Sequence, residues 1–464
     1  MDSSFSDPVA LLSEFVSYGS VSTQPECGPA MVLAREFVER HLEKLGFSVE
    51  SVATPLHPVI VAQTGADLPA ETPHIVIYGH YDVQPAEPLE LWETPPFQAH
   101  IRGERLYARG AADNKGEVVT HMCALARVLE RKPDLPLRIT WLIEGEEEIG
   151  SPNFAHVLEK FKDTLASADF MLVSDTSIPT ADQVAITTQL RGLVDFEIEV
   201  VGPKLDLHSG EHGGALLNPI QALSEILASL HTSDAKVNVP GFYDGVLSFP
   251  GWERDELKKL PEDEDAYQAF LGIPAFYTPE GMTPFESIRF LPTLEINGIG
   301  GGYQGPGSKT VIPSKAFAKI TCRLVPDQDP ADIMSKVRAA IESRTPNGVT
   351  LHFKEKAGAP AYLIVPPGRE NTPKDQSPVL AAAFKLAEYA FEKAFGSRPL
   401  YIRGGGSIPI IGQIRDIAGL DAVMVGLATP EDRIHSPNES FHLGVMNKGI
   451  AALEEIFDGL AQGN

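Results

Sequence analysis

The chain opens on amphipathic periodicity. Residues 8–46 place apolar side chains at helical spacing, most clearly in "AMVLAREFVERHLEKLGF", and Gly46 stands where a helix C-cap belongs. The texture then changes. Near-continuous apolar runs, "HIVIYGH" (74–80), "LRITWLIEG" (137–145), "ADFMLVSD" (168–175) and "DAVMVGLA" (421–428), read as strands buried on both faces. A helical pattern, "KGEVVTHMCALARVLERK" (115–132), lies between the first two. Such strands with helices between them predict an α/β unit whose largely parallel central sheet is flanked by helices.

Between about 190 and 360 the period switches. "LVDFEIEVVG" (193–202) and "KAFAKITCRLVP" (315–326) alternate apolar and polar residues, the mark of an antiparallel sheet with one wet face. Helical patterns fit 218–231 and 329–343, and the acidic stretch 253–270 reads as a helical excursion. This predicts a separate α+β unit, residues 191–360, inserted into the first. From about 376 a helix–strand–helix pattern returns, so 361–464 is expected to rejoin 1–190.

A length of 464 residues exceeds what one core usually covers. Hydrophobic residues at 43% and charged residues at 22% are those of a globular protein in water. The net charge of −25 argues against nucleic-acid and anionic-membrane partners, both of which call for basic patches. Cys27, Cys123 and Cys322 have no CxxC spacing, which suits a reducing compartment; Cys123 and Cys322 read as core residues. The start "MDSSFSDPVALLSEF" lacks a signal-peptide pattern, and no apolar run is long enough to span a bilayer. The expected location is cytoplasmic.

The chemistry gathers at strand ends. His80 and Asp82 follow the first strand, two apart, and in extended backbone such residues point the same way. Asp113 precedes the helix; Glu144, Glu146, Glu147 and Glu148 close the next strand; Asp175 ends the third; His435 follows the fourth. Taken singly, each has a plain structural use: Asp113 as an N-cap, the Glu run as a solvated face, His435 as a surface loop residue. Taken together, they lie where open α/β sheets bind ligands. Two His and several carboxylates form a mixed nitrogen and oxygen donor set suited to Zn²⁺, Mn²⁺ or Co²⁺.

The segments "GHYDVQP", "RGAADNKG", "EGEEEIGS", "SDTSIP", "DLHSG", "KTVIP", "GGGSIP" and "EDRIHSPNE" carry a resemblance over nearly the whole chain. In this order the chain resembles the two-metal exopeptidase family of aminoacylases, glutamate carboxypeptidase and carnosine-type dipeptidases, the carnosine-dipeptidase-like branch above all. The resemblance implies two divalent metal ions per subunit, Zn²⁺ first and Mn²⁺ or Co²⁺ as alternatives. It implies metal ligands His80, Asp113, Glu148, Asp175 and His435, with Asp113 bridging. Asp82 would orient His80, and Glu147 would be the general base, with Glu146 an extra acid beside it.

His208 would support the oxyanion and bind substrate, donated by the other subunit of a homodimer. Arg323 would bind the substrate's terminal carboxylate, with Asn297 and Ser407 lining the pocket. The insert would serve as lid and dimerisation unit. The implied activity is hydrolysis of dipeptides or short peptides with a free C-terminal carboxylate. An N-acyl amino acid deacylase fits the same site, and a non-catalytic peptide-binding protein with a relict metal site is the alternative of another class.

Overall fold

Four of the apolar runs form the middle of the main sheet. In the computed structural model, which describes residues 3–246, 248–356 and 358–462, the strands Arg138–Glu144, His74–His80, Phe170–Val173 and Ala422–Met424 lie side by side and parallel. Every residue of His74–His80 is buried, as a strand covered on both faces requires. Antiparallel strands extend the sheet on both sides: Ser48–Val52 and Val59–Thr64 on one, Ala185–Leu190 on the other. Tyr362–Leu363 and Leu400–Arg403 both pair with Ala185–Leu190. The helices Lys115–Arg131 and Pro378–Phe395 pack on the sheet, and Leu443–Leu460 packs against both of them.

The periodic stretch at 8–46 is two helices, Pro8–Ser17 and Gly28–Lys44. The break falls at Gly19 and Pro25, and Gly28 and Pro29 open the second helix, where a proline is tolerated in the first turn. The acidic excursion is likewise split into Gly251–Leu257 and Glu264–Leu271, with Pro261 between them. It docks on the main unit. Trp252 packs against the main core, and the Glu253 carboxylate meets the Arg403 guanidinium at 2.8 Å with both side chains buried.

The alternating segments build a second sheet. Thr293–Gly301, Lys315–Leu324, Gly192–Val201 and Thr350–Glu355 form four antiparallel strands in that order. In the two central strands burial alternates strictly: Val194, Phe196, Ile198 and Val200 face inward, as do Ala316, Ala318, Ile320 and Cys322. Pro219–Ser229 and Pro330–Arg344 cover the apolar face, closing a core separate from that of the main sheet.

Candidate metal and active site

The parallel strands end together, so whatever follows them converges. His80 is the last residue of its strand. Asp113 sits in the turn before the helix Lys115–Arg131. Glu147 and Glu148 form the short turn after Arg138–Glu144. Asp175 follows Phe170–Val173, and His435 lies in the loop after Ala422–Met424, at a positive φ of 63° that is costly for a residue with a Cβ.

Asp113 is the hub. Its Oδ1 lies 3.0 Å from His80 Nε2, and its Oδ2 lies 2.9 Å from His435 Nε2. Asp175 Oδ1 is 3.8 Å from the same His80 nitrogen, and Glu148 Oε2 is 3.3 Å from the same His435 nitrogen. Two donor groups result, His80–Asp113–Asp175 and Asp113–Glu148–His435, each with its ligand atoms within 4.8 Å of one another. One carboxylate shared between two imidazole-plus-carboxylate groups fits a pair of divalent cations.

The electrostatics fit as well. Burial pushes the Asp175 carboxyl up to about 7, reinforced by Asp113 and Glu148 against the pull of His80. Burial also raises Glu147 well above the carboxylate range, with Asp175 and Glu148 adding to it and His80 opposing. Burial opposes ionisation of Asp113, but the hydrogen bonds with His435 and His80 outweigh it and hold its carboxyl low. Crowded acids of this kind are costly to ionise without cations beside them.

Neighbouring groups hold these ligands still. His80 Nδ1 lies 3.0 Å from the backbone oxygen of Asp82 and 3.4 Å from its carboxylate. The Asp82 carboxylate accepts the backbone N–H groups of Glu147 at 3.3 Å and Glu148 at 3.1 Å. Gln84 Nε2 donates to Glu148 Oε2 at 2.7 Å. Asn114 Nδ2 donates to Asp175 Oδ1 at 3.1 Å and to Glu117 Oε2 at 2.9 Å. Glu439 Oε1 accepts the backbone N–H groups of Ala112 and Asp113, and its Oε2 accepts the Gly110 N–H and the Arg109 guanidinium. Gln84, Asn114, Glu117 and Glu439 were not singled out in the sequence, although Gln84, Asn114 and Glu439 lie inside the motifs quoted above.

The Glu run divides its labour. Glu147 lines a cavity of about 470 Å³ that also contains Asp113, Asp175 and His435. Glu148 belongs to the His435 group. Glu146 points elsewhere, accepting from the backbone N–H of His57 at 2.9 Å and from Asn153 Nδ2 at 2.8 Å. Glu144 is buried, with the hydroxyls of Tyr78 and Ser151 each donating to it at 2.8 Å, and burial lifts its pKa to about 8.

At another part of the cavity wall the second sheet contributes Arg323, whose Nη1 donates to Ser407 Oγ at 2.8 Å. Arg289 and Arg403 also line the wall, but Glu262 and Glu253 neutralise them. Arg323 has no carboxylate partner among the described residues. Asn297 does not reach the cavity; it is exposed, and its Oδ1 accepts the Thr321 hydroxyl at 2.8 Å. His208 also lies outside it, exposed on the two-residue strand Leu207–His208, with Nδ1 accepting from the Gly210 N–H at 3.0 Å.

Residues 76–458 match the family model described as Peptidase family M20/M25/M40. The chain belongs to this peptidase family. It is 31% identical over 472 residues to the Beta-Ala-His dipeptidase of Homo sapiens, covering 98% of this chain and 90% of that one. It is 29% identical over 462 residues to the Cys-Gly metallodipeptidase dug1 of Schizosaccharomyces pombe, covering 95% and 93%. The crystal structure of human carnosine dipeptidase 1 superposes with a TM-score of 0.84 at 29% identity, over 99% of this chain and 96% of that one. All five expected ligands of this M20/M25/M40 peptidase thus stand at one strand-end cluster. Among the described residues no helix is long and apolar enough to cross a membrane.

Proposed function

We propose that the protein is a metal-dependent dipeptidase that hydrolyses the amide bond of dipeptides or short peptides bearing a free C-terminal carboxylate. The observation that carries this reading is the shared position of Asp113 between two donor groups, in a cavity that also holds Glu147 and Arg323, which has no carboxylate partner among the described residues. The activities named for the relatives, a Beta-Ala-His dipeptidase and a Cys-Gly metallodipeptidase, support the same reaction.

His80, Asp113 and Asp175 would hold one divalent cation, and Asp113, Glu148 and His435 a second. Zn²⁺ is the first choice, and Mn²⁺ or Co²⁺ suits the same donors. Bound there, such cations supply Lewis acidity that polarises an amide carbonyl and acidifies water. Glu147, which lines the cavity beside both donor groups, takes the water proton and passes it to the leaving amine. Arg323, steadied by Ser407, receives the terminal carboxylate in a fork-to-fork contact. Asp82 fixes the Glu147–Glu148 turn from below.

His208 completes the oxyanion contact from the second subunit of a homodimer. Its exposure and its absence from its own chain's cavity support that assignment. Residues 1–190 and 361–464 form the catalytic unit and 191–360 the lid and dimerisation unit; the two separate cores support this division, while the segment around Trp252 and Glu253 docks on the catalytic unit. Three free thiols suit a cytoplasmic setting. The test is a substrate panel of Xaa-Xaa dipeptides against N-acetyl amino acids, with purified metal-loaded protein. Turnover of dipeptides well above N-acetyl amino acids supports the proposal. The reverse order makes the protein a deacylase, and no turnover of either removes the enzymatic reading.

A further inference from the structure

Three consecutive glycines, Gly404–Gly406, line the cavity immediately before Ser407. Glycine normally earns its place by a positive φ or by a close approach of other atoms. Gly404 has such a reason: a Cβ there would lie 2.8 Å from the backbone oxygen of Gln189. Gly405 and Gly406 have neither. Neither has a positive φ; a Cβ on Gly406 would meet nothing within 4 Å, and one on Gly405 only the Ile288 backbone oxygen at 4.0 Å. The protein's own packing leaves both positions free to carry a side chain, yet both present bare backbone to the cavity.

Their surroundings say what the space is for. Ser407, next in sequence, holds the Arg323 guanidinium. Ile288, on the short helix Pro284–Phe290, brings its backbone oxygen nearest to Gly405 and lines the same cavity with 39% of its surface exposed. That helix is pinned, because Gln189 Nε2 donates to the Arg289 backbone oxygen at 3.0 Å. The glycine run is pinned too, because the Arg191 N–H donates to the Gly406 oxygen at 2.8 Å. A rigid bare floor and an exposed apolar wall thus flank the carboxylate anchor, and the residue that carries the carboxylate must project its side chain nearby.

We infer that Gly405 and Gly406, together with Ile288, form the subsite for the side chain of the substrate's C-terminal residue, and that bulk at positions 406 and 288 sets which residues are accepted. This deepens the dipeptidase reading and rests on it. The measurement is kcat/KM for two series, Ala-Xaa and β-alanyl-Xaa, with Xaa as Gly, Ala, Leu or Phe. The proteins are wild type, Gly406→Ala, Gly406→Val and Ile288→Ala, each checked for folding by far-UV circular dichroism and thermal melting. Gly406→Val should raise the preference for Xaa = Gly over the bulkiest accepted Xaa by at least about tenfold, the scale on which an apolar pocket discriminates. Gly406→Ala should do so less, and Ile288→Ala should lower it.

A preference unchanged in folded variants, or an equal fall on every substrate, overturns the subsite. Wild-type acceptance of Xaa = Gly alone overturns it as well, because room for a side chain would stand unused. The wild-type rates report separately on the dipeptidase reading: turnover with a flat variant profile defeats only the subsite, and no wild-type turnover defeats both. If Gly406→Val does not fold, Gly406→Ala and Ile288→Ala decide the matter by their opposite directions.

Discussion

The carboxylate of Asp82 accepts the backbone N–H of Glu148 at 3.1 Å. Asp82 therefore sits under the turn that presents both Glu147 and Glu148, in addition to lying beside His80. In Asp82→Asn one carboxylate oxygen becomes an NH₂ group that faces an N–H donor or an imidazole. Metal affinity should fall roughly 10–100-fold, the usual cost of losing a group that orients ligands. Titration of metal-free protein with Zn²⁺, followed by calorimetry, measures this; wild-type affinity in the variant would count against the role.

Glu147 and Glu146 should part company on mutation. Glu147→Gln should lose roughly 10²–10⁴ in kcat while retaining bound metal, since an amide cannot take the proton. Glu146→Gln should keep kcat but lose stability, on the order of 1–3 kcal/mol, because one of the donors from His57 or Asn153 then meets an NH₂. Steady-state kinetics, metal analysis and urea unfolding separate the two patterns.

Removal of divalent metal should abolish hydrolysis. Dialysis against a chelator, followed by addition of Zn²⁺, Mn²⁺ or Co²⁺ singly, should give loss and recovery of dipeptide turnover. Full activity in protein shown by elemental analysis to be metal-free would defeat the metal assignment.

His208→Ala and Glu147→Gln should complement each other in mixed dimers. Each homodimer should be nearly inactive. A mixed dimer, made by co-expression with different tags, contains one site with an intact Glu147 and an intact donated His208. Recovered activity in the doubly purified species is the expected result. No recovery would mean that His208 does not serve a neighbour's site.

His121 predicts a pH dependence of stability. Its ring is fully buried, with Nε2 against Ser174 Oγ at 2.8 Å, and burial pushes its pKa down from 6.5 to about 3. The folded value lies below the unfolded one, so the unfolded chain binds the extra proton first. The contribution to stability is intact above about pH 6.5 and is lost as pH falls toward about 3. At most this is about 1.4 kcal/mol per pH unit. His121→Phe should flatten that part of the pH profile, as read from urea unfolding at pH 7, 6, 5 and 4.

Much of the architecture was legible because strand and helix periods are local. The apolar run His74–His80 reads as a doubly covered strand, and the alternation in Gly192–Val201 reads as a sheet with one wet face; each is one in the structure. The break between Ser17 and Gly28 was not legible in the same way, since apolar spacing at a helical period continues after it.

The chain's order of residues by itself placed His80, Asp113, the acids Glu144, Glu146, Glu147 and Glu148, Asp175 and His435 at strand ends, and the family resemblance then singled out Glu148 among the four. The strand ends come together because a parallel sheet aligns its carboxyl ends. Only the tertiary structure decided how they are shared and held. Asp113 meets His435 across 322 positions, Arg323 meets Ser407 across 84, and Glu439 binds the Asp113 N–H across 326. It also decided that Glu144 and Glu146 turn away from the cavity that Glu147 lines. The physical reason is the same in each case. Periodicity records whether a residue faces core or water, but hydrogen-bond partners are chosen by loops that close only when the two sheets and their helices are packed.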